Sequence, residues 1–445
     1  MILGKYINNI SGLRLFNLIR YGVLLLIAIS FAKSGLTLAE IGYYEILIFI
    51  AGAVSFFWLT GIIQSLLPLY KNNKTFTEDT KELKKSPEFF NAFLLISLFS
   101  IIAGLFIVCF NEFISKLLND SQKIPHLTIL VLYVVICGPA SLVEYFYLLL
   151  KRPDRIVIYG FISFFVHFIL VAGPAIAGYG IQYSLWGLII INIIRLIWLV
   201  IILFKYAEFR FSFKFIKEHI SLGTPLIVSI FLSGSATYID GFIIANKFDT
   251  TTFTIFRYGA REMPLVILLA NAFSTSMIPE LRDRNKINES LGKIKKESSR
   301  MVRYLFPISI LLLITSGVFY PIVFKPEFAE SSIIFNIYLL VIVSRLVFPQ
   351  TILIGLKKTK IILLGSFMEI ILNVCLSLFL INIFGIAGVA LATVMAFYFE
   401  KIFLIIYNYV KLKIPPSKYI PVKLHIIYSV LIIVVFFIIE FHLFQ

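Results

Sequence analysis

The chain has 445 residues, 60% hydrophobic and only 14% charged, with a mean hydropathy of +0.96 and a formal net charge of +16. Soluble domains sit at roughly half apolar and a quarter charged, so this composition excludes an ordinary soluble enzyme or binding module. The positive balance, which in a soluble protein would suggest nucleic acid, reads here as the lysine and arginine bias of cytoplasmic loops, and no nucleic-acid partner is expected.

Apolar runs long enough to cross a ~30 Å hydrocarbon core recur from end to end. In chain order they fall at 13–33, 40–68, 89–110, 126–150, 156–178 and 183–205. After the linker FRFSFKF, which alternates Phe with polar residues, they continue at 220–246, 252–279, 302–324, 331–356, 361–383 and 385–410. A thirteenth, at 422–443, follows the Pro-rich break KIPPSKYIP. The basic start mimics a signal peptide, but further spans follow at once, so the first run reads as an uncleaved span. Alternate loops differ sharply in charge. One set contains the basic stretches around Lys84, KRPDR, Lys205–Lys217, Arg282–Arg303, KKTK and Lys411–Lys423; the other holds only Lys33, Lys116, Lys123, Lys247 and Lys325. This places the N-terminus and the basic loops in the cytoplasm and Gln445 outside. The segments Lys71–Glu88 and Leu281–Arg303 mix both signs at helical spacing and read as solvated or interfacial helices.

The expected fold is thus an all-α polytopic membrane protein. Six spans precede the linker and six follow, so both halves start on the cytoplasmic side, as parallel repeats about an axis along the membrane normal. The organisation is an N-terminal six-helix lobe (1–206), an interfacial linker (207–219), a C-terminal six-helix lobe (220–411), and a basic linker with an extra span (412–445). Cys109, Cys137 and Cys375 lie inside apolar runs and read as small buried hydrophobes. The five histidines show no ligand spacing, and no metal site is expected.

Ionisable residues within spans are functional candidates by default, because each costs several kcal/mol unless paired or wet. Here they are Arg14, Arg20, Glu45, Glu144, Arg195, Asp240, Arg257, Arg261, Glu262, Arg345, Glu369, Glu400 and Lys401, with His167 a polar addition. Arg195 and Arg345 sit mid-span. In FRYGARE, Arg257 and Arg261 are expected one turn apart on one face of span eight, Arg261 about 6 Å deeper. Asp240 either clamps spans seven and eight as an ion pair with these arginines or serves a ligand. Arginines facing a common cavity would suit a phosphate-bearing substrate, since guanidinium pairs two oxygens at once and stays charged. Pro139, Pro174, Pro225, Pro264, Pro307 and Pro349 interrupt helices at membrane depth, which permits hinges.

Four stretches carry a family resemblance. They are EIGYYEILIFIAGAVSFFWLTGIIQSLLPLYKNN, ISLGTPLIVSIFLSGSATYIDGFIIANKF, FTIFRYGAREMPLVILLANAFSTSMIPEL and INIFGIAGVALATVMAFYFEKIFLI. In that order they resemble spans two, seven, eight and the eleven–twelve junction of polysaccharide flippases in the multidrug/oligosaccharidyl-lipid/polysaccharide exporter superfamily. The resemblance implies two six-helix lobes around a central cavity with alternating access, no enzymatic activity, and residence in the bacterial inner membrane. It further implies flipping of an undecaprenyl-pyrophosphate-linked oligosaccharide or repeat unit to the outer leaflet. On that reading Arg20, Arg195, Arg257, Arg261 and Arg345 bind substrate. Glu45, Glu144, Asp240, Glu262 and Glu369 gate or couple, with Na+ or H+ as the coupling ion and no other cofactor. Membrane lipid and other glycan-assembly membrane proteins are the expected neighbours. Thirteen spans depart from the family's twelve or fourteen. Arg20 replaces the acidic residue of span one found in one branch of drug exporters, which sets a cation-coupled drug exporter second. A membrane glycosyltransferase or polymerase ranks third, because the first outer loop offers only Glu40.

Overall fold

Lipid supplies no hydrogen bonds, so a spanning backbone must satisfy itself, and helices do so within one segment. The computed structural model describes residues 9–70, 85–118, 124, 126–278, 280–282 and 286–440, and all regular structure among them is helical apart from an isolated bridge between Ser86 and Ala207. Eleven segments among the described residues are long and apolar enough to cross a membrane. Large apolar side chains such as Phe161, Ile197 and Ile322 face outward, as a hydrocarbon solvent demands.

The chain forms two compact units, Met1–Gly234 and Ser235–Gln445. The first contains α1 (Asn9–Lys33), α2 (Leu38–Leu69), α3 (Pro87–Cys109), α4 (Asn111–Leu117), α5 (Leu127–Ala140), α6 (Val143–Leu149), α7 (Pro153–Ile176), α8 (Ile181–Tyr206) and α9 (Phe213–Gly234). Helix α2 starts at a capping box: the Glu40 amide donates to the Thr37 hydroxyl at 3.3 Å, and the Thr37 amide donates to the Glu40 carboxylate at 2.8 Å. Glu40, the acidic group beside the α1–α2 connection, is therefore a capping residue. Helix α1 packs on α7 through Phe16, whose ring contacts those of Tyr159 and Phe164. Helix α9 packs along α2, where His219 Nε2 donates to the Ile62 carbonyl at 2.8 Å. The Phe-rich linker is pinned by Asn91, whose amide donates to the Arg210 carbonyl and accepts from the Ser212 amide, both at 2.8 Å. Phe209, Phe211 and Phe213 point outward from it.

The second unit contains α10 (Ala236–Lys247), α11 (Thr250–Gly259), α12 (Pro264–Met277), α13 (Ile287–Val323), α14 (Ala329–Leu339), α15 (Ile342–Arg345), α16 (Pro349–Gly355), α17 (Thr359–Val410) and α18 (Val422–Ile439). The charged segment from Ile287 is helical and runs straight into span nine, whereas the expected helix at Lys71–Glu88 falls mostly outside the described residues. Spans eleven and twelve both lie within α17, which turns at Gly385 (φ 57°, ψ −136°), a conformation that a Cβ opposes.

Two sequence expectations need correction. Span seven is two helices, joined at Gly234–Ser235, where the division between the units also falls. Span eight is broken as well, because Pro264 has no amide proton for the Ala260 carbonyl and pushes Met263 out of the helical region, to φ −59°, ψ 111°. The cysteines also differ from expectation: Cys109 and Cys375 are exposed on the outer faces of their helices and Cys137 is half-buried.

A closure of the kind that ends α7 at Gly178 recurs, centred on a lysine, at two places six spans apart. After α6, Lys151 (φ 55°) donates its amide to Leu148 and Arg152 to Tyr147; after α16, Lys357 (φ 58°) donates to Ile354 and Lys358 to Leu353. Both are the same paired C-terminal closure, at corresponding places in the two halves.

Gly385→Val is expected to lower the thermal midpoint of the detergent-solubilised protein by an amount equivalent to about 1–3 kcal/mol. Gly22→Ala is the control, since its Cβ would meet nothing within 4 Å. Equal midpoints for the two variants would contradict the turn.

Candidate functional site

Span ten supplies the first part of the site. Pro349 cannot donate to the Arg345 carbonyl, and Phe348 before it takes a left-handed conformation (φ 54°, ψ 29°), so the helix stops at Arg345 and restarts at Pro349. The carbonyls along this broken stretch are met by side chains from other helices. Tyr398 donates to Leu340 at 2.7 Å, His425 to Val343 at 3.0 Å, Ser298 to Leu346 at 2.6 Å, and Asn408 to Pro349 at 3.1 Å. Every third carbonyl from 340 to 349 thus has a donor on α13, α17 or α18. Non-helical backbone at membrane depth is tolerable on those terms.

Span eight supplies the second part. Helix α11 is capped by Asp249, whose carboxylate accepts from the Thr252 amide at 2.8 Å, and the Thr252 side chain together with that amide holds the exposed carboxyl below its ordinary pKa. It ends at Gly259, where any Cβ would come within 2.4 Å of the Ser331 carbonyl oxygen of α14. Ala260 (φ −72°, ψ 53°) then makes an inverse γ-turn, with the Arg261 amide donating to the Gly259 carbonyl at 2.7 Å. Arg257 and Arg261 therefore do not stack on one helical face. Arg261 folds back, its Nε 3.5 Å from the Arg257 carbonyl and its guanidinium 5.0 Å from the Tyr258 ring centre, beside the exposed end of the α11 dipole. Arg257 stays half-buried in the last turn of α11.

The two breaks deliver opposite charges to each other. Arg345 Nε donates to Glu262 Oε2 at 2.8 Å and Nη2 to Oε1 at 2.5 Å, a fork-on-fork pair whose side chains are 30% and 18% exposed. The guanidinium also lies over the Phe397 ring at 4.9 Å. A small cavity adjoins the pair, with Ser309, Tyr338, Val341 and Ile342 in its wall.

Tyr338 connects this cavity to a second cluster. Its hydroxyl donates to Asp240 Oδ2 at 2.9 Å, and the Thr393 hydroxyl donates to the same oxygen. Asp240 is 3% exposed, and its Oδ1 is buried without a hydrogen-bond donor among the described residues. Asn373 donates to Thr393 at 3.2 Å and accepts from Ser377 at 3.0 Å. One turn before Asn373 lies the buried Glu369, whose electrostatic neighbours are Glu400, Lys401, Asp240 and Arg345. Glu400 pairs with Lys401 at 2.7 Å. Asp240 thus takes its hydrogen bonds from hydroxyls of α14 and α17.

The first unit holds the remaining candidates. Arg195 on α8 donates from Nε to Ser163 Oγ at 2.8 Å and from Nη2 to His167 Nδ1 at 3.3 Å, with its guanidinium 4.9 Å from the Phe164 ring centre. Accepting at Nδ1 leaves the imidazole proton on Nε2, which is buried with no hydrogen-bond partner among the described residues. Glu144, in the first turn of α6, and Glu45 are both 7% exposed. Arg20 is half-buried on α1 with its guanidinium 5.6 Å from the Tyr21 ring centre, and Arg14 is exposed. Sequence reasoning missed Tyr338, Thr393, Asn373 and His425. The i, i+4 pair Asn373–Ser377 in an apolar run was a readable signal; Tyr338, one of 22 tyrosines, carried none.

A family model described as a polysaccharide biosynthesis protein matches residues 36–333. No curated protein matches the chain by sequence. Among solved structures, the lipid II flippase MurJ in an inward closed conformation is similar at a TM-score of 0.69 and 18% identity, covering 96% of this chain and 92% of that one. An inward-facing multidrug resistance MATE family transporter of the MOP superfamily follows at 0.61 and 13%, covering 88% and 94%. A Vibrio cholerae MATE transporter mutant is similar at 0.56 and 12%, covering 89% and 97%. The fold is shared with both kinds of transporter.

If the Arg345–Glu262 pair holds the two breaks together, Arg345→Gln and Glu262→Gln each lower the thermal midpoint, and the double variant loses less than the sum. The non-additivity expected is about 1–3 kcal/mol, reduced from that of a fully buried pair by the partial exposure. Strict additivity would show that the two groups do not stabilise one another.

Proposed function

The chain belongs to the polysaccharide biosynthesis protein family, and from that premise we propose that it flips a lipid-linked glycan across the bacterial inner membrane. The substrate is an undecaprenyl-pyrophosphate-linked oligosaccharide or repeat unit, moved from the cytoplasmic to the outer leaflet by alternating access, with the N-terminus cytoplasmic. Its handling needs no covalent chemistry from the protein, so the chain is a transporter and not an enzyme. Other glycan-assembly membrane proteins are its natural neighbours.

The observation that carries this reading is the Arg345–Glu262 pair at two backbone breaks. A carboxylate presents to a guanidinium the same two-oxygen edge that a phosphate does. Glu262 is then an internal stand-in for the pyrophosphate, and substrate exchanges with it at Arg345. A ligand that replaces one anion by another keeps the Arg345 guanidinium paired throughout, while the displaced Glu262 carboxylate takes a proton or another cation. Arg20, Arg195, Arg257 and Arg261 are the other substrate-binding candidates, with His167 Nε2 offering a neutral donor beside Arg195. Glu45, Glu144 and Glu369 are candidates for gating.

Coupling is assigned to Asp240. Its buried Oδ1 and the hydroxyl oxygens of Thr393 and Tyr338 offer oxygen ligands, which fits a hard cation such as Na+, or a proton on Oδ1. A bound cation supplies the differential stabilisation that an access change requires.

The test is flipping of a labelled undecaprenyl-pyrophosphate glycan in proteoliposomes. Arg345→Ala and Arg195→Ala are expected to slow flipping about tenfold or more while the protein stays folded, as loss of a charge-assisted contact of about 1.4 kcal/mol or more implies. Asp240→Asn is expected to abolish the dependence of rate on Na+ or pH. Unchanged rates in the arginine variants would remove them from the site. Export of lipophilic cations without glycan flipping would favour a drug exporter.

A further inference from the structure

The thirteenth span is a departure from the family's span numbers, and nothing in the flipping account uses it. Its contacts nevertheless fall on the broken span ten. Helix α18 packs along α13 within the second unit, with the His425 and Tyr428 rings against Phe306 at centroid distances of 5.8 and 5.7 Å. His425 Nε2 donates to the Val343 carbonyl, two residues before Arg345. The Ser429 hydroxyl, one turn further along α18, meets His425 Nδ1 at 3.3 Å. A donor at Nδ1 keeps the proton on Nε2, so this pair selects the tautomer that caps Val343. Beyond the other end of α18, buried Glu440 accepts from Asn336 Nδ2 of α14 at 2.6 Å.

These pins matter because α15 is only four residues long, Ile342–Arg345. A helix of one turn has almost no ladder of its own, and its geometry is set from outside. Arg345 is aimed at Glu262 by whatever fixes the peptide groups around it. Three side chains do this at Leu340, Val343 and Leu346, and the middle one comes from α18.

We infer that the thirteenth span is a working part of the transporter, and that His425 is a positioning residue that holds α15 so that Arg345 meets Glu262. The functional meaning of this role rests on the reading of Arg345 as a transport residue; the positioning itself does not. Span thirteen therefore braces the site from the side of the bundle. Removing the histidine donor frees the Val343 carbonyl at membrane depth, and α15 relaxes by turning or by winding into a different register.

The experiment is the Arg345→Gln/Glu262→Gln double-mutant cycle, read as thermal midpoints in detergent, repeated in three backgrounds. In wild type the cycle shows non-additivity. In His425→Phe, which keeps the aromatic volume against Phe306 but removes the donor, the non-additivity is expected to fall by about half or more. In His425→Gln, whose amide can still donate, most of it is expected to remain. A general loss of packing would lower all four midpoints together and leave the non-additivity intact, and that result would overturn the proposal. Should His425→Phe fail to fold, Ser429→Ala is read in its place: reduced non-additivity supports the role and unchanged non-additivity overturns it. The same variants in the flipping assay give the second arm, in which His425→Phe is expected to fall to the rate of Arg345→Gln. A cycle that responds to His425 with no glycan flipping in any variant would fault the substrate assignment alone.

Discussion

A carbonyl that leaves a helix inside a membrane has no water to turn to, and the second unit of this protein is arranged around that constraint. The stretch from Leu340 to Pro349 presents carbonyls that a tyrosine, a histidine, a serine and an asparagine satisfy from three other helices. These four residues look unrelated along the chain. Together they meet carbonyls where the backbone ladder of span ten is bent or broken. The break they support is what allows Arg345 to project from a helix end, where its guanidinium meets a carboxylate and an aromatic face at once.

The charge pair and the breaks depend on each other. Two charges at membrane depth are affordable only when paired with good geometry. The fork-on-fork alignment of Arg345 and Glu262 needs side chains that leave their backbones at angles an unbroken helix would not give. Glu262 gains that freedom from the γ-turn at Ala260 and from Pro264 behind it. From the wall of the same cavity Tyr338 reaches Asp240, so the cation candidate and the anion candidate share one side chain. On the proposed coupling role, a cation at Asp240 would draw on the Tyr338 hydroxyl and so act on the cavity wall beside the pair.

Much of the helical inventory was legible in the sequence, because apolar runs and the loop charge bias report spans directly. Pro264 and Pro349 also announced their breaks, yet treating proline as a kink kept Arg257 and Arg261 on one face when the helix had already ended at Gly259. Partnerships were not legible. Glu262 lies next to Arg261 in sequence, but its fork-on-fork partner comes from span ten, 83 residues away. Likewise Asp240 takes hydroxyls of Tyr338 and Thr393, 98 and 153 residues on, where hydropathy gives no address. The lysine turns at Lys151 and Lys357 repeat as backbone conformation, with little sequence to mark them.

The central claim is that Glu262 and Arg345 act as one unit in transport, each useful only with the other's charge. Exchanging them tests it most directly. Glu262→Arg and Arg345→Glu, each alone, should abolish flipping in proteoliposomes, while the two together should restore a measurable fraction of the wild-type rate. A double variant as inactive as either single one, or a single variant that still flips, would contradict the account.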